Sequence, residues 1–249
     1  MLRAITINLC EENTIKNLLK WINIFLSLKG DIIFLQEIST YDIEKLAFKI
    51  NMKILNINNL EQTCIMINPK KVIIIDNNHI KVKGLKNLNL NLNTHMIYIG
   101  NIHLSDIPSI THHLNDKSYK SSVTIPLSYT MPRLLTLCKK NRLPRIKEEM
   151  KKISEYSIIA GDFNEPSHLD IDINVPISNE FEKNGFIDSY RFKNSSSGNT
   201  WPSGKFYQGE PEQRVDFIYT KNFKIIDSFT YETNNWLSDH KMIVTDLKI

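Results

Sequence analysis

Apolar residues follow two rhythms along this chain. Short, nearly unbroken apolar runs occupy residues 2–7, 31–35, 95–102, 156–160 and 241–247, the signature of strands buried in a core. Residues 214–219, Arg-Val-Asp-Phe-Ile-Tyr, alternate instead and predict another strand. Weaker β-like runs lie at 63–68, 71–75 and 94–102. Between them the spacing becomes helical. Asn13 is placed to cap a helix with Ile15, Leu18, Leu19, Ile22 and Leu26 on one face, stopped by Gly30. A second helix is predicted over 42–50, and a charged one over 144–154. Residues 105–141, with Pro108, Pro126 and Pro132, read as irregular, and 195–213 as a polar loop carrying Trp201, Phe206 and Tyr207. Strands interleaved with helices predict an α/β chain.

The strand-like runs share a second property: each leads into, or carries, a chemically capable polar side chain. The first leads to Asn8, the second to Gln36-Glu37, and the run at 95–102 to His103-Leu104. The run at 156–160 leads to Gly161-Asp162-Phe163-Asn164. Asp216 sits inside the alternating strand, and Trp236-Leu237-Ser238-Asp239-His240 precedes the last one. One Gly-Asp turn is commonplace. The same arrangement at every strand end predicts one site assembled from the whole chain.

In this order the motifs resemble the endonuclease/exonuclease/phosphatase superfamily, which includes pancreatic-type deoxyribonucleases, exonuclease III-like enzymes, sphingomyelinases and inositol-polyphosphate 5-phosphatases. The matching positions run from residue 8 to residue 240, nearly the whole chain. The resemblance implies a four-layer sandwich: two packed, mainly antiparallel β-sheets flanked by helices, with the site at one end of the sheets. It implies a magnesium-dependent phosphoesterase in which Mn²⁺ also serves. Glu37 matches the magnesium-binding Glu, and Asn8 and Asp239 match residues near the metal. Asp162 matches the Asp that orients or activates water, and Asn164 the Asn that donates to a phosphate oxygen. Asp216 and His240 match an Asp–His dyad. His103 resembles the His of deoxyribonuclease- and sphingomyelinase-type members; apurinic-site endonucleases lack it. The family's usual Pro two residues after the Ser-Asp-His histidine is Met242 here, which removes no chemical group.

Composition narrows the class. With 249 residues, 41% hydrophobic and 23% charged, the chain is expected to be one globular domain over residues 1–249. No window approaches ~18 uninterrupted apolar residues, so no transmembrane span is expected. The start reads as a strand rather than a signal peptide, and Cys10, Cys64 and Cys138 have no metal-type spacing. An intracellular, monomeric protein is the expectation. The net charge of +4 suits a polyanionic substrate without demanding one.

Phosphoester hydrolysis needs a nucleophile made from water, neutralised phosphoryl oxygens and help for the departing oxygen. A hard cation held by one or two carboxylates supplies the neutralisation. Taken singly, the residues have blander roles. Glu37 also suits an exposed acid at a helix entrance. Asp216 also suits a buried pair with Arg214. Asn164 also suits a turn cap. The expected reaction is phosphodiester hydrolysis, in nucleic acid first (a nuclease or end-processing enzyme), then phosphodiesterase or phosphatase action on a phospholipid head group or soluble phosphate ester, and last a non-catalytic module holding a phosphorylated partner. Arg145 belongs to a basic stretch, Lys139, Lys140, Arg142, Arg145, Lys147, Lys151 and Lys152, able to track a nucleic-acid backbone. Interspersed Glu148, Glu149 and Glu155 favour a solvated helix face instead. Trp201, Phe206 and Tyr207 suit base stacking or anchoring of the loop.

Overall fold

A computed structural model of the protein describes residues 1–83, 95–119, 125–204, 206–233 and 237–249, with backbone alone for 11–16. The side chains of Asn13 and Ile15, and Thr94 and Trp236, therefore lie outside the described residues. In chain order the elements are β1 (Leu2–Asn8), α1 (Glu11–Leu28), β2 (Ile32–Gln36), α2 (Thr40–Lys49), β3 (Lys53–Asn58), β4 (Thr63–Ile67), β5 (Val72–Ile74), β6 (His79–Val82) and β7 (Ile97–His103). They continue with α3 (Ile110–Leu114), α4 (Met131–Met150), β8 (Tyr156–Asp162), α5 (Pro176–Lys183), β9 (Ile187–Asp188), α6 (Ser189–Lys193), β10 (Asp216–Lys221), β11 (Lys224–Tyr231) and β12 (Met242–Lys248).

The strands form two six-stranded sheets, ordered β11-β12-β1-β2-β4-β3 and β5-β6-β7-β8-β10-β9. Pairing is antiparallel except for β1 with β2 and β7 with β8. Each sheet is covered on both faces, which is why its central strands read as unbroken apolar runs. Alternation along β1 and β2 sends Ala4, Ile32 and Phe34 toward the second sheet, where they meet Ile97, Ile99, Ile158 and Ile218. Ile5, Ile7, Ile33 and Leu35 point the other way, onto α1 and α2 through Trp21, Phe25, Ile43 and Leu46. Behind the second sheet, Tyr98, Ile159, Phe217 and Tyr219 pack on Ile146, Ile177 and Phe181 of α4 and α5. The result is helix, sheet, sheet, helix: the expected four-layer sandwich. Among the described residues no helix is long and apolar enough to cross a membrane.

Two helices differ from expectation. In α1, Leu19 and Leu26 are 75% and 47% exposed, while Leu18, Trp21, Ile22, Phe25 and Leu28 are buried. Asn17 leaves helical geometry (φ −123°, ψ 16°), so the buried face is set anew after that kink. The helix closes through left-handed Lys29 onto the Phe25 carbonyl, one residue before Gly30. Gly30 has a different duty, since a Cβ there would meet Ile5 at 2.8 Å. The charged helix begins at Met131, not at 144, so part of the stretch read as irregular is helical. Pro132 occupies the first turn, where its missing N–H costs nothing, and Pro144 is carried inside. The sequence pattern does not predict β3, β6, β9, α3, α5 and α6, nor the eight-residue β11.

The topology fixes where polar strand ends meet. Asn8 pairs with Gln36 at the ends of parallel β1 and β2. His103 pairs with Asp162 at the ends of parallel β7 and β8, and Asp216, opening β10, pairs with the same Asp162. Buried between the sheets, the Gln36 carboxamide donates to Thr6 Oγ1 (3.2 Å) and Asn101 Oδ1 (2.7 Å), and Asn101 Nδ2 donates to the carbonyls of Leu35 and Cys64. This polar bridge ties the sheets together directly beneath Glu37.

Candidate active site

Eight predicted residues, Asn8, Glu37, His103, Asp162, Asn164, Asp216, Asp239 and His240, come together at one end of the two sheets. Asp162 is the junction. Its Oδ2 accepts from Asn8 Nδ2 at 3.1 Å and lies 4.0 Å from His103 Nε2 and 3.8 Å from His240 Nε2. Its Oδ1 accepts from the Asn164 backbone N–H at 2.9 Å, the turn that sets Asn164, whose Nδ2 donates to the Leu104 carbonyl. Asn8 Nδ2 also donates to Glu37 Oε1 at 2.9 Å, and His103 Nε2 lies 3.5 Å from that same oxygen. The Glu61 carbonyl accepts from His103 Nδ1–H, which aims Nε2 at the two carboxylates.

Asp216 Oδ2 accepts from His240 Nδ1–H at 2.8 Å, both side chains being buried. Arg214 does not compete for this carboxylate. It forks onto Asp188 at 2.9 and 2.6 Å and reaches Asp170. Ser238 fixes the approach of His240 by donating to the Asn8 carbonyl and accepting from the His240 N–H. Asp239 accepts from the Trp201 indole N–H at 3.1 Å.

Burial alone would strip the proton from His240. The carboxylates of Asp216, Asp239 and Asp162 outweigh it and hold the imidazole pKa well above the ordinary range. Burial, with Asp216, pushes Asp162 up, against His240, His103 and Asn8. The site thus sets an imidazole that favours its proton 3.8 Å from the Asp162 carboxyl group. The remaining donors fit a hard divalent cation, because Glu37, Asp162, Asp239 and Asn8 offer oxygen. Glu37, 35% exposed, is the carboxylate open to an incoming ion. Asp162, Asp216 and His240 also converge, with donor atoms within 4.8 Å of one another. Yet His240 and Asp216 already bond each other, while Asp216 Oδ1 is buried without a hydrogen-bond partner among the described residues.

Above these groups opens a cleft of about 720 Å³ lined by Glu37, His103, Asp162, Asn164, Asp239 and His240. Trp201 lines it too, buried, against Tyr207 at 5.5 Å and His112 at 5.6 Å, so it is both loop anchor and cleft wall. Arg145 does not reach it. Its guanidinium is taken by Glu61 and Glu149, and it lines a separate cavity of about 300 Å³. The rest of the basic stretch is dispersed. Arg142 is fully buried, donating to Glu165 and to the carbonyls of Ser105 and Pro108, while Lys151 and Lys152 pair with Glu148 and Glu149.

Several features of the cleft had not been predicted. Nine non-glycine residues have left-handed backbone among the described residues, and five of them, Cys10, Glu37, Gln62, Asn164 and Tyr207, line this cleft. Each costs roughly 1–2 kcal/mol, and such strain collects at functional sites; only the Asn carries a sequence signal for it. Ser109, Tyr119 and Glu210 also line the cleft and converge on buried His112. The Ser-x-x-His spacing alone hints at that contact.

Comparison with known proteins agrees with this layout. A model of the endonuclease/exonuclease/phosphatase family matches residues 5–240. An uncharacterised protein of Caenorhabditis elegans is 28% identical over 173 residues, 60% of this chain, which spans 55% of that relative's length. Among solved structures, an endonuclease/exonuclease/phosphatase family protein from Leptotrichia buccalis aligns over 100% of both chains at 15% identity and a TM-score of 0.56. The mannosyl-6-phosphatase of Bacteroides thetaiotaomicron aligns over 100% of both at 13% identity and a TM-score of 0.61. Truncated TDP2 of Caenorhabditis elegans aligns over 100% of this chain and 97% of its own, at 15% identity and a TM-score of 0.59. At these identities the structural likeness is one of fold.

Proposed function

The chain belongs to the endonuclease/exonuclease/phosphatase family, and on that premise we propose that it hydrolyses a phosphoester with a divalent cation, Mg²⁺ or Mn²⁺. The observation that carries this reading is Asp162: one buried carboxylate facing the Nε2 atoms of two histidines, one of them locked by Asp216.

Glu37 and Asn8 would hold the cation, with Asp239 nearby; when bound, it would neutralise phosphoryl oxygens. Asp162 is the group suited to orient water and take its proton, since its raised pKa makes it a better base than an exposed carboxylate. His240, held cationic, is suited to bind a phosphoryl oxygen rather than to act as base. His103, across Asp162, is placed to give a proton to the departing oxygen, and Asn164 to brace the phosphate. Nucleic acid, the first expected substrate, draws no support from the basic stretch, whose arginines are engaged elsewhere. A soluble phosphoester fits the cleft better.

Turnover of p-nitrophenyl phosphate, or of its bis-ester, tests the core of this. EDTA should abolish it and Mg²⁺ restore it. Glu37→Gln should cost about 10²-fold or more with the melting temperature kept. Turnover that survives EDTA, or a wild-type rate in the variant, would remove the metal or Glu37 from the reading.

A further inference from the structure

The part of the cleft beyond the catalytic groups has a composition that discriminates between substrates. Among the described lining residues there is no lysine or arginine; Lys120 and Lys205 lie outside the described residues. Two nearby cations are engaged: Arg145 with Glu61 and Glu149, and Lys117 with the Gly209 carbonyl. Instead the lining offers carboxylates, carboxamides and aromatic rings.

Asp106 accepts from the Tyr119 hydroxyl and Glu210 from His112 Nε2–H at 3.1 Å. Burial pushes the Tyr119 hydroxyl up and the His112 ring down, so both favour their neutral forms and neither supplies a compensating cation. Three glutamines, Gln62, Gln208 and Gln213, line the same space. Tyr207, 56% exposed and backed by Trp201, presents a ring on the rim.

A polyanionic substrate would meet uncompensated negative charge here, and a greasy one would strip water from the carboxylates and amides without replacing it. A ring bearing several hydroxyls satisfies every group. Its O–H groups donate to Asp106 and Glu210, its oxygens accept from the glutamine amides, and its C–H face covers an aromatic ring. Building on the phosphoesterase reading, we infer that the substrate is a single-phosphate monoester of a neutral, sugar-sized polyol. Water oxygen forms a new bond to phosphorus, the bond from phosphorus to the polyol oxygen breaks, and the proton from water ends on that oxygen. The products are the free polyol and inorganic phosphate.

Phosphate release from glucose 6-phosphate should be compared with release from inositol trisphosphate, a 5′-phosphorylated oligonucleotide, phosphocholine and p-nitrophenyl phosphate. The hexose phosphate should have a kcat/KM about tenfold or more above the others, the size of one or two lost charged hydrogen bonds. In Asp106→Ala and in Glu210→Ala, selectivity for glucose 6-phosphate over p-nitrophenyl phosphate should fall about tenfold, through KM. Equal or better rates on the trisphosphate, oligonucleotide or phosphocholine, or a selectivity that survives both variants, would overturn the inference. Calorimetric binding of glucose 6-phosphate to the Glu37→Gln protein reads the preference without turnover, and binding no tighter than that of phosphocholine would also overturn it. Absence of metal-dependent turnover on every ester, with hexose phosphate still bound preferentially, would instead sink the catalytic reading alone.

Discussion

At the scale of single residues, Asp216 and His240 form a unit. The carboxylate touches the ring at 2.8 Å and makes no ion pair with Arg214. If it acts only through His240, the two losses do not add. His240→Ala should lower kcat by ~10²–10³-fold, the size of one lost electrostatic contact to the phosphoryl group, and Asp216→Asn by less. The double variant should match His240→Ala alone, with melting curves recorded beside the rates. A multiplicative loss would give Asp216 a separate duty, at the metal for instance. The residues of this unit were legible because each stands in or beside a strand-like run in a recognisable order, although Asp216 opens β10 rather than sitting inside it. The bond from the Trp201 indole to Asp239, the engagement of Arg145 and the burial of Arg142 were not. Each depends on partners distant in sequence, such as Glu61, Asp239 and Glu165, that no local pattern announces.

At the scale of elements, strands ending in functional groups were readable and helix limits less so. The central runs are buried on both faces and leave an unambiguous apolar signal. Prolines in α4 mislead because Pro132 starts that helix while Pro144 merely sits inside it. Short α3 lacks any periodic stretch, yet through His112 it closes one wall of the cleft: Ser109 bonds one ring nitrogen, Glu210 the other, and Tyr119 and Trp201 pack against it. Burial lowers the His112 pKa, assisted by Lys117 and opposed by Glu210. The unfolded chain therefore takes up a proton near pH ~6.5 that the folded one refuses. By linkage, the stability this residue contributes is present above that pH and is lost as pH falls below it. The melting-temperature gap between wild type and His112→Gln should narrow steadily from pH 7.5 to pH 5. A constant gap would mean that folding leaves the His112 pKa unshifted, and one that widens in acid would mean that the fold favours the charged ring.

For the whole molecule, one polar contact between the sheets sets the relation of their catalytic ends. Asn101 is bonded to Gln36 and to two carbonyls of the opposite sheet, with Glu37 and His103 just beyond. Asn101→Ala would leave these buried groups unpaired, at a cost of about 3 kcal/mol. It should also lower the rate without touching a reacting atom. Urea unfolding and turnover together check this, and loss of neither would mean that water replaces the side chain. The sandwich itself was legible only through family likeness. Apolar runs show that strands are buried, but not which strands pair.

Sheet order carries a further consequence. In the first sheet β1 lies between β2 and β12, and Leu2 faces Leu247 across the pairing. β1 thus waits for the much later β12 before its second edge is filled, whereas every described strand of the second sheet has been made by the end of β10. Contacts of such sequence separation form slowly. On the ribosome, the half bearing His103, Asp162 and Asp216 can assemble while β1 still exposes an open edge. His240 then arrives just ahead of the strand that closes it. Completion of the candidate site and the sealing of that edge are therefore one event, so a chain stalled before β12 would lack a complete site and also be prone to edge-to-edge association.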